Sequence, residues 1–346
     1  MSGETVARRS APTRVALALG SGGARGYAHI GVIEALGARG FEIVGITGSS
    51  MGAMIGGLQA AGRLDEFADW AKSLTQRTIL RLLDPSITAA GVMRAEKILE
   101  AVRDILGEVT IDELPIPYTA VATDLLAGKS VWFQHGPLDE AIRASIAIPG
   151  VIAPHEVGGR LLADDGIMDP LPMAPLAAVN ADLTIAVGVS GSEVIGKREP
   201  EPGATADFLN RMVRSTSALL DASAVRSLLD RPTARAVLSR FGADTWSDEE
   251  SASGQDDAVD EALEVPKLGS FEVMYRAFDI AQSALTRHML SAYPPDLLIE
   301  VPRSTCRSLD FHRAAEVIDI GRMLADRALA ALEATTEEPV PPAIEG

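Results

Sequence analysis

Cysteine is almost missing from this chain: Cys306 stands alone among 346 residues. No intrachain disulfide can form, so the fold must rest on a core, and a reducing compartment is expected. Cys306 itself is expected to be a small buried or half-buried thiol. Histidine is scarce too, with His29, His135, His155, His288 and His312 the full set. Positive charge is in deficit: 31 Lys and Arg against 48 Asp and Glu leave a net charge of −17. A surface of that sign repels nucleic acid and anionic bilayers at long range, so no nucleic-acid partner is expected. No apolar run approaches the ~18 residues of a membrane span. The polar start "MSGETVARRSAPTR" leads only into "VALALG", too short for a secretory signal. The expectation is a cytosolic protein whose membrane contact, if any, is peripheral. Apolar residues still make up 47% of the chain, enough to core one large α/β domain or two average ones.

Periodicity lays out the rest. Residues 1–13 read as a disordered tail. "RVALALG" (14–20) is a buried strand ending in glycines, and 27–40 is a helix with Ile30, Ile33 and Leu36 at helical spacing. "FEIVGIT" (41–47) is the next strand and "AMIGGLQAAG" (53–62) the next helix, so a parallel sheet with helical crossovers is expected. Amphipathic helices follow at 64–80 and 92–106, then a hairpin over 118–136 turning near Gly128. Strands are expected at 182–190 and 296–302, a helical region at 205–240 and a closing helix at 310–333, with a loose tail from 334. The stretch 244–264 is acidic and carries no Lys or Arg, the composition of a mobile insertion.

Chemistry concentrates in three places. "GSGGARG" (20–26) lies between a strand and a helix. A P-loop is excluded, because Tyr27 and Ala28 stand where Lys and Ser/Thr are needed. A dinucleotide fingerprint wants an acid at the end of the second strand, and that strand ends "ITGSS". The remaining reading is an oxyanion hole, in which glycines let backbone N–H groups converge at a helix N-terminus and Arg25 adds charge or holds the loop. "GSSMG" (48–52) follows the second strand and precedes a helix, the context of a nucleophile elbow. Ser50 sits at its centre between Gly48 and Gly52. Ser49 is the rival nucleophile, and a plain helix cap is the structural alternative for Ser50. No histidine carries a motif of its own, and all five read as structural. An aspartate is the better base: "GRLLADDGIMDPLP" (159–172) is an apolar strand running into a carboxylate pair at a glycine turn. Aspartate is a weak base for a serine, so the hydroxyl must be held close and the oxyanion well stabilised.

These three motifs, in this order, resemble the patatin-like phospholipases in their bacterial branch, and "RASIAIPGVIAP" (143–154) and "DLLIEVP…LDFHRAAEVIDIG" add to the resemblance. It covers about 14–190 and 270–330 and fades across 200–265. The resemblance implies a mainly parallel α/β sheet flanked by helices and a Ser–Asp dyad without histidine. It gives Ser50 as nucleophile, with Gly22, Gly23 and Ala24 offering N–H groups and Arg25 beside them. Counting back from Asp169-Pro170-Leu171-Pro172 places the base at Asp164, with Asp165 the alternative because it stands where the pattern has glycine. Ser21 likewise replaces a glycine of the loop. The chain then reads as a serine hydrolase of lipid acyl esters needing no metal or cofactor. A hydrolase fold that has lost catalysis and acts as a lipid-binding module is the runner-up, and a nucleotide binder the third reading. Chain length, headgroup and oligomeric state are not written in these motifs.

Overall fold

Strand β1 (Arg14–Leu19) explains the architecture. Val15, Leu17 and Leu19 point to one face and Ala16 and Ala18 to the other, and all five are buried. A strand apolar on both faces belongs inside a parallel sheet with both faces covered. β1 pairs in parallel with β2 (Glu42–Ser49) on one side and β7 (Leu183–Gly191) on the other. β3 (Tyr118–Asp124) lies beyond β2 and β8 (Leu297–Pro302) beyond β7, again parallel. The computed structural model describes residues 11–82, 96–191 and 270–337. Residues 1–10 of the expected N-terminal tail (1–13), the divergent region 200–265 with its acidic stretch 244–264, and the tail beyond 337 lie outside the described residues.

The helices are α1 (Ala28–Ala38), α2 (Met51–Ala60), α3 (Leu64–Ser73), α4 (Gln76–Leu82), α5 (Glu96–Leu106), α6 (Leu138–Ser145), α7 (Ser270–Ala292) and α8 (Ala314–Glu337). The larger core joins Val15, Leu17 and Leu19 to apolar side chains of α1, α2, α6 and α8. On the opposite face Ala16, Ala18 and Ala186 bury against Leu171, Met173 and Leu176, with Leu290 of α7 packed alongside. The expected α/β class, a mainly parallel sheet flanked by helices, is the class observed.

The structure departs from the simplest parallel layout at one end of the sheet. There β4 (Lys129–Phe133), β5 (His155–Val157) and β6 (Arg160–Asp164) run antiparallel. β3 pairs with β2 through residues 118–121, with β4 through 120–124, and with β6 through 122–124. A strand has two edges, so β2 and β6 must share the edge that β4 does not use. β6 therefore continues the line of β2 from the opposite direction. Ser49 pairs with Val121 and Asp164 with Ala122, so the carboxyl ends of β2 and β6 meet at adjacent residues of one ruler strand.

Smaller differences have local causes. The helix expected over 64–80 is two, because Leu74 takes extended backbone (φ −71°, ψ 121°). The second restarts where Thr75 Oγ1 accepts from the Thr78 N–H at 3.2 Å. The helix after the glycine loop begins as a 3-10 turn over Gly23–Tyr27. The closing helix runs on to Glu337 and is preceded by another 3-10 turn, Phe311–Arg313. Among the described residues no helix is long and apolar enough to cross a membrane.

Candidate active site

Ser50 has φ 55° and ψ −120°, the one non-glycine residue with positive φ among the described residues. Strain of this kind persists only where the surroundings enforce it. β2 and α2 are joined with no residue to spare, and both flanking glycines are needed for room. A Cβ on Gly48 would lie 2.4 Å from the Gly52 carbonyl carbon, and one on Gly52 would lie 2.1 Å from the Leu19 oxygen. The Ser50 N–H donates to Ser145 Oγ at 2.9 Å, and its C=O accepts from Met54 in α2 at 3.1 Å. Its hydroxyl makes no cap bond to the helix. It is therefore not spent as an N-cap. Ser49 ends β2 with its Oγ buried and without a hydrogen-bond partner among the described residues.

Asp164 comes to Ser50 through the meeting of β2 and β6. Its carboxylate accepts the Gly166 N–H at 2.8 Å, and the Ser50 and Ser21 hydroxyls both favour its charged form. Complete burial pushes its pKa up to about 6, while those three donors favour the ionised form and hold it down. Asp165 turns the other way. Its Oδ1 accepts from Thr123 Oγ1 at 2.5 Å and from Ser130 Oγ at 3.1 Å, both on the β3–β4 hairpin. Burial, with Asp169 and Asp164 nearby, raises the pKa of Asp165 to about 7. Burial raises the pKa of Asp169 to about 6, with the Leu171 N–H working the other way. Of the two candidate bases, Asp164 is the one brought to Ser50.

The glycine loop runs past the elbow. Gly23 adopts φ 57°, and a Cβ there would sit 2.3 Å from the Ser308 oxygen. The N–H groups of Gly22 and Gly23 donate to no backbone carbonyl among the described residues. The Ala24 N–H differs from the sequence expectation: it donates to the Ser308 C=O at 2.8 Å and is not free to face a substrate. Arg25 holds the loop. It is buried, and its Nη2 donates to Asp279 of α7 at 2.7 Å and to Ser308 Oγ at 2.9 Å. A guanidinium committed to a carboxylate and a hydroxyl is a strut.

The histidines stay away from Ser50's proton. His29 is buried, its Nε2–H donates to the Gly20 C=O at 2.9 Å, and burial pushes its pKa down to about 4. It pins the start of the glycine loop as a neutral ring. His135 is exposed and contacts Asp112 at 2.6 Å, His155 lies on β5, and His288 and His312 are exposed. Among the described residues no group of three or more His, Cys, Asp or Glu side chains could hold a metal ion. Cys306 is buried, as expected.

Ser50 opens onto an apolar cleft with about 760 Å³ of non-atom space, partly open to solvent. Met54, Phe67, Trp70 and Ile79 of α2–α4 line it together with Ile148 and Phe311. Sequence reasoning missed several residues of this site. Ser145 lay inside the quoted stretch "RASIAIPGVIAP" and Ser308 beside the closing helix. Asp279 and Gln282 of α7 had no signal, because their partners lie far away in the chain.

A family model described as patatin-like phospholipase matches residues 17–177, which take in the glycine loop, the elbow and both aspartates. Uncharacterized NTE family proteins of Mycobacterium tuberculosis and Mycobacterium bovis are each 71% identical to this chain, over 98% of its length and 98% of theirs. The neuropathy target esterase sws of Drosophila melanogaster is 30% identical over 186 residues, covering 52% of this chain and 13% of that protein. With a family match across the glycine loop, the elbow and both aspartates, and NTE family relatives alike over nearly their full length, the chain belongs to the NTE family of patatin-like proteins.

Proposed function

We propose that the chain hydrolyses acyl esters of lipids through a Ser50–Asp164 dyad. One observation carries the reading: a strained serine at a helix N-terminus, with its hydroxyl beside a buried carboxylate and an apolar cleft in front of it. Ser50 Oγ attacks the ester carbonyl while Asp164 takes its proton. The carbonyl oxygen becomes an oxyanion, met by the free N–H groups of Gly22 and Gly23 and by the positive end of α2. As the tetrahedral species collapses, the C–O bond to the alcohol breaks and Asp164 returns the proton to the leaving oxygen. Water then attacks the acyl-enzyme with the same aspartate as base, releasing the fatty acid and restoring Ser50.

The acidity suits the task. A carboxylate near pKa 6 is a stronger base than an exposed one near 3.9 and is still ionised at neutral pH. The apolar cleft suits an acyl chain, whose burial is favourable by about 0.8 kcal/mol per methylene. A hydrolase fold without catalysis finds no support in the site, since Asp165, the substitution behind that reading, points to Thr123 and Ser130.

The test uses the purified chain, a fluorophosphonate probe and a panel of p-nitrophenyl esters, lysophospholipids and phospholipids. Ser50→Ala loses both labelling and hydrolysis, and Ser49→Ala keeps them. A Ser50→Ala protein that still labels and hydrolyses overturns the proposal.

A further inference from the structure

We infer that Ser21 and Gln282 are positioning residues for the base: the Ser21 hydroxyl donates to the Asp164 carboxylate, and Gln282, from α7, fixes Ser21 in the orientation that lets it do so. The inference rests on the reading of Asp164 as the base and adds what holds that base charged and aimed.

The geometry begins at Gly166, whose N–H donates to Asp164 Oδ1 at 2.8 Å. A Cβ built on Gly166 would lie 1.9 Å from Gln282 Nε2, 3.0 Å from Ser21 Oγ and 3.1 Å from Asp164 Oδ1. Three polar groups thus converge over one Cα, and a side chain at this position would have to displace the Gln282 amide. Gln282 Nε2 donates to Ser21 Oγ at 3.2 Å, and both residues are buried. A serine hydroxyl has one hydrogen. With its oxygen accepting from Gln282, that hydrogen is left for Asp164. The backbone of Ser21 is held as well, its N–H donating to the Pro170 C=O at 2.7 Å.

Gln282 is placed by its own helix. Asp279, three residues earlier on α7, accepts from Arg25 of the glycine loop at 2.7 Å, so the loop and α7 share one register. Arg303 Nη2 donates to the Asp279 C=O at 2.9 Å, and Thr286 Oγ1 donates to the Gln282 C=O at 2.9 Å. The strut that secures the oxyanion loop therefore also sets the amide over the base.

A dyad without histidine needs such a device. Complete burial works against ionised Asp164, and a neutral donor stabilises the charged form without adding a competing charge. The ionisable groups on the surrounding elements are Asp165 and Asp169 on the following turn, Asp124 on β3 and Arg143 on α6. His155 on β5, His29 on α1, Lys129 on β4, Arg160 on β6, Arg276 and Arg287 on α7, and Arg25 with Asp279 and Arg303 are further ionisable groups on these elements. Arg25 and Arg303 are paired with Asp279, and His29 is neutral. Asp169 and Asp164 both oppose ionisation of Asp165.

The experiment measures kcat/KM of the full chain on a soluble short-chain p-nitrophenyl ester from pH 5 to 9, normalised to sites titrated with fluorophosphonate. The acid limb of the profile reports ionisation of the base. Ser21→Ala moves that limb to higher pH by about one unit, the worth of one hydrogen bond to a buried carboxylate. Gln282→Glu moves it the same way by setting a negative charge over Asp164, and Gln282→Leu moves it less. The two Gln282 variants carry the test if Ser21→Ala fails to fold. Acid limbs of Ser21→Ala and Gln282→Glu that superimpose on the wild type, with or without a uniform loss of rate, overturn the inference while Asp164→Asn is inactive. An active Asp164→Asn overturns the dyad itself.

Discussion

Replacing Ser50 by glycine, and separately by alanine, reads the strain of the elbow directly. Both substitutions delete the hydroxyl and leave Asp164 with its remaining donors, so the difference between them isolates the Cβ. At φ 55° and ψ −120° a residue with a Cβ carries about 1–3 kcal/mol of backbone strain. Glycine escapes that strain but loses about 0.4–1 kcal/mol more conformational entropy on folding than alanine. The difference leaves Ser50→Gly more stable than Ser50→Ala by about 0.5–2 kcal/mol, the reverse of the order at an ordinary helix position, where glycine is worse by about 0.5–1 kcal/mol. Urea unfolding of the two proteins at pH 7, followed by far-UV circular dichroism, measures the difference from their midpoints at equal slope. Neither protein hydrolyses ester, so function does not confuse the comparison. An alanine variant as stable as the glycine variant, or more so, would refute the claim that this turn stores strain to present the serine.

Asp164→Asn lowers kcat by two or more powers of ten, whereas Asp165→Asn keeps most of the activity; equal losses from the two would return the choice of base to open ground. Asp165→Asn also changes stability with a definite sign. The folded pKa of Asp165, about 7, lies above its value in the unfolded chain, so its favourable contribution is complete below about pH 4 and is lost as pH rises through 7. Order-of-magnitude linkage puts that loss at about 4 kcal/mol by pH 8. The asparagine variant is expected to melt higher than wild type at pH 8, with the margin closing towards pH 4, and a margin independent of pH counts against it. Gly52→Ala drives a Cβ to 2.1 Å from the Leu19 oxygen; fluorophosphonate labelling is expected to fall by at least tenfold in any folded protein, because the elbow must open to relieve the clash.

Local pattern determined much of this protein. The strands, the crossover helices and the strand–turn–helix at Gly48–Gly52 are written in neighbouring residues, where apolar period and glycine placement act over a few positions. Ser50 was legible as the candidate nucleophile for that reason, and the helix break at Leu74 was not, since nothing in the local apolar period marks it. Which of Asp164 and Asp165 lies beside Ser50 was decided by tertiary structure: β3 sets Ser49 against Val121 and Asp164 against Ala122, and the next carboxylate goes to Thr123 and Ser130. Which loop N–H groups stay free was likewise set from afar, by the Ser308 carbonyl taking the Ala24 N–H. Arg25 finds Asp279 across 254 residues of chain, and Gln282 finds Ser21 across 261. Periodicity and spacing describe what a residue's own helix or strand needs; they do not report which distant segment will be packed against it, and the placement of Asp164 and the hold on the glycine loop are properties of that packing.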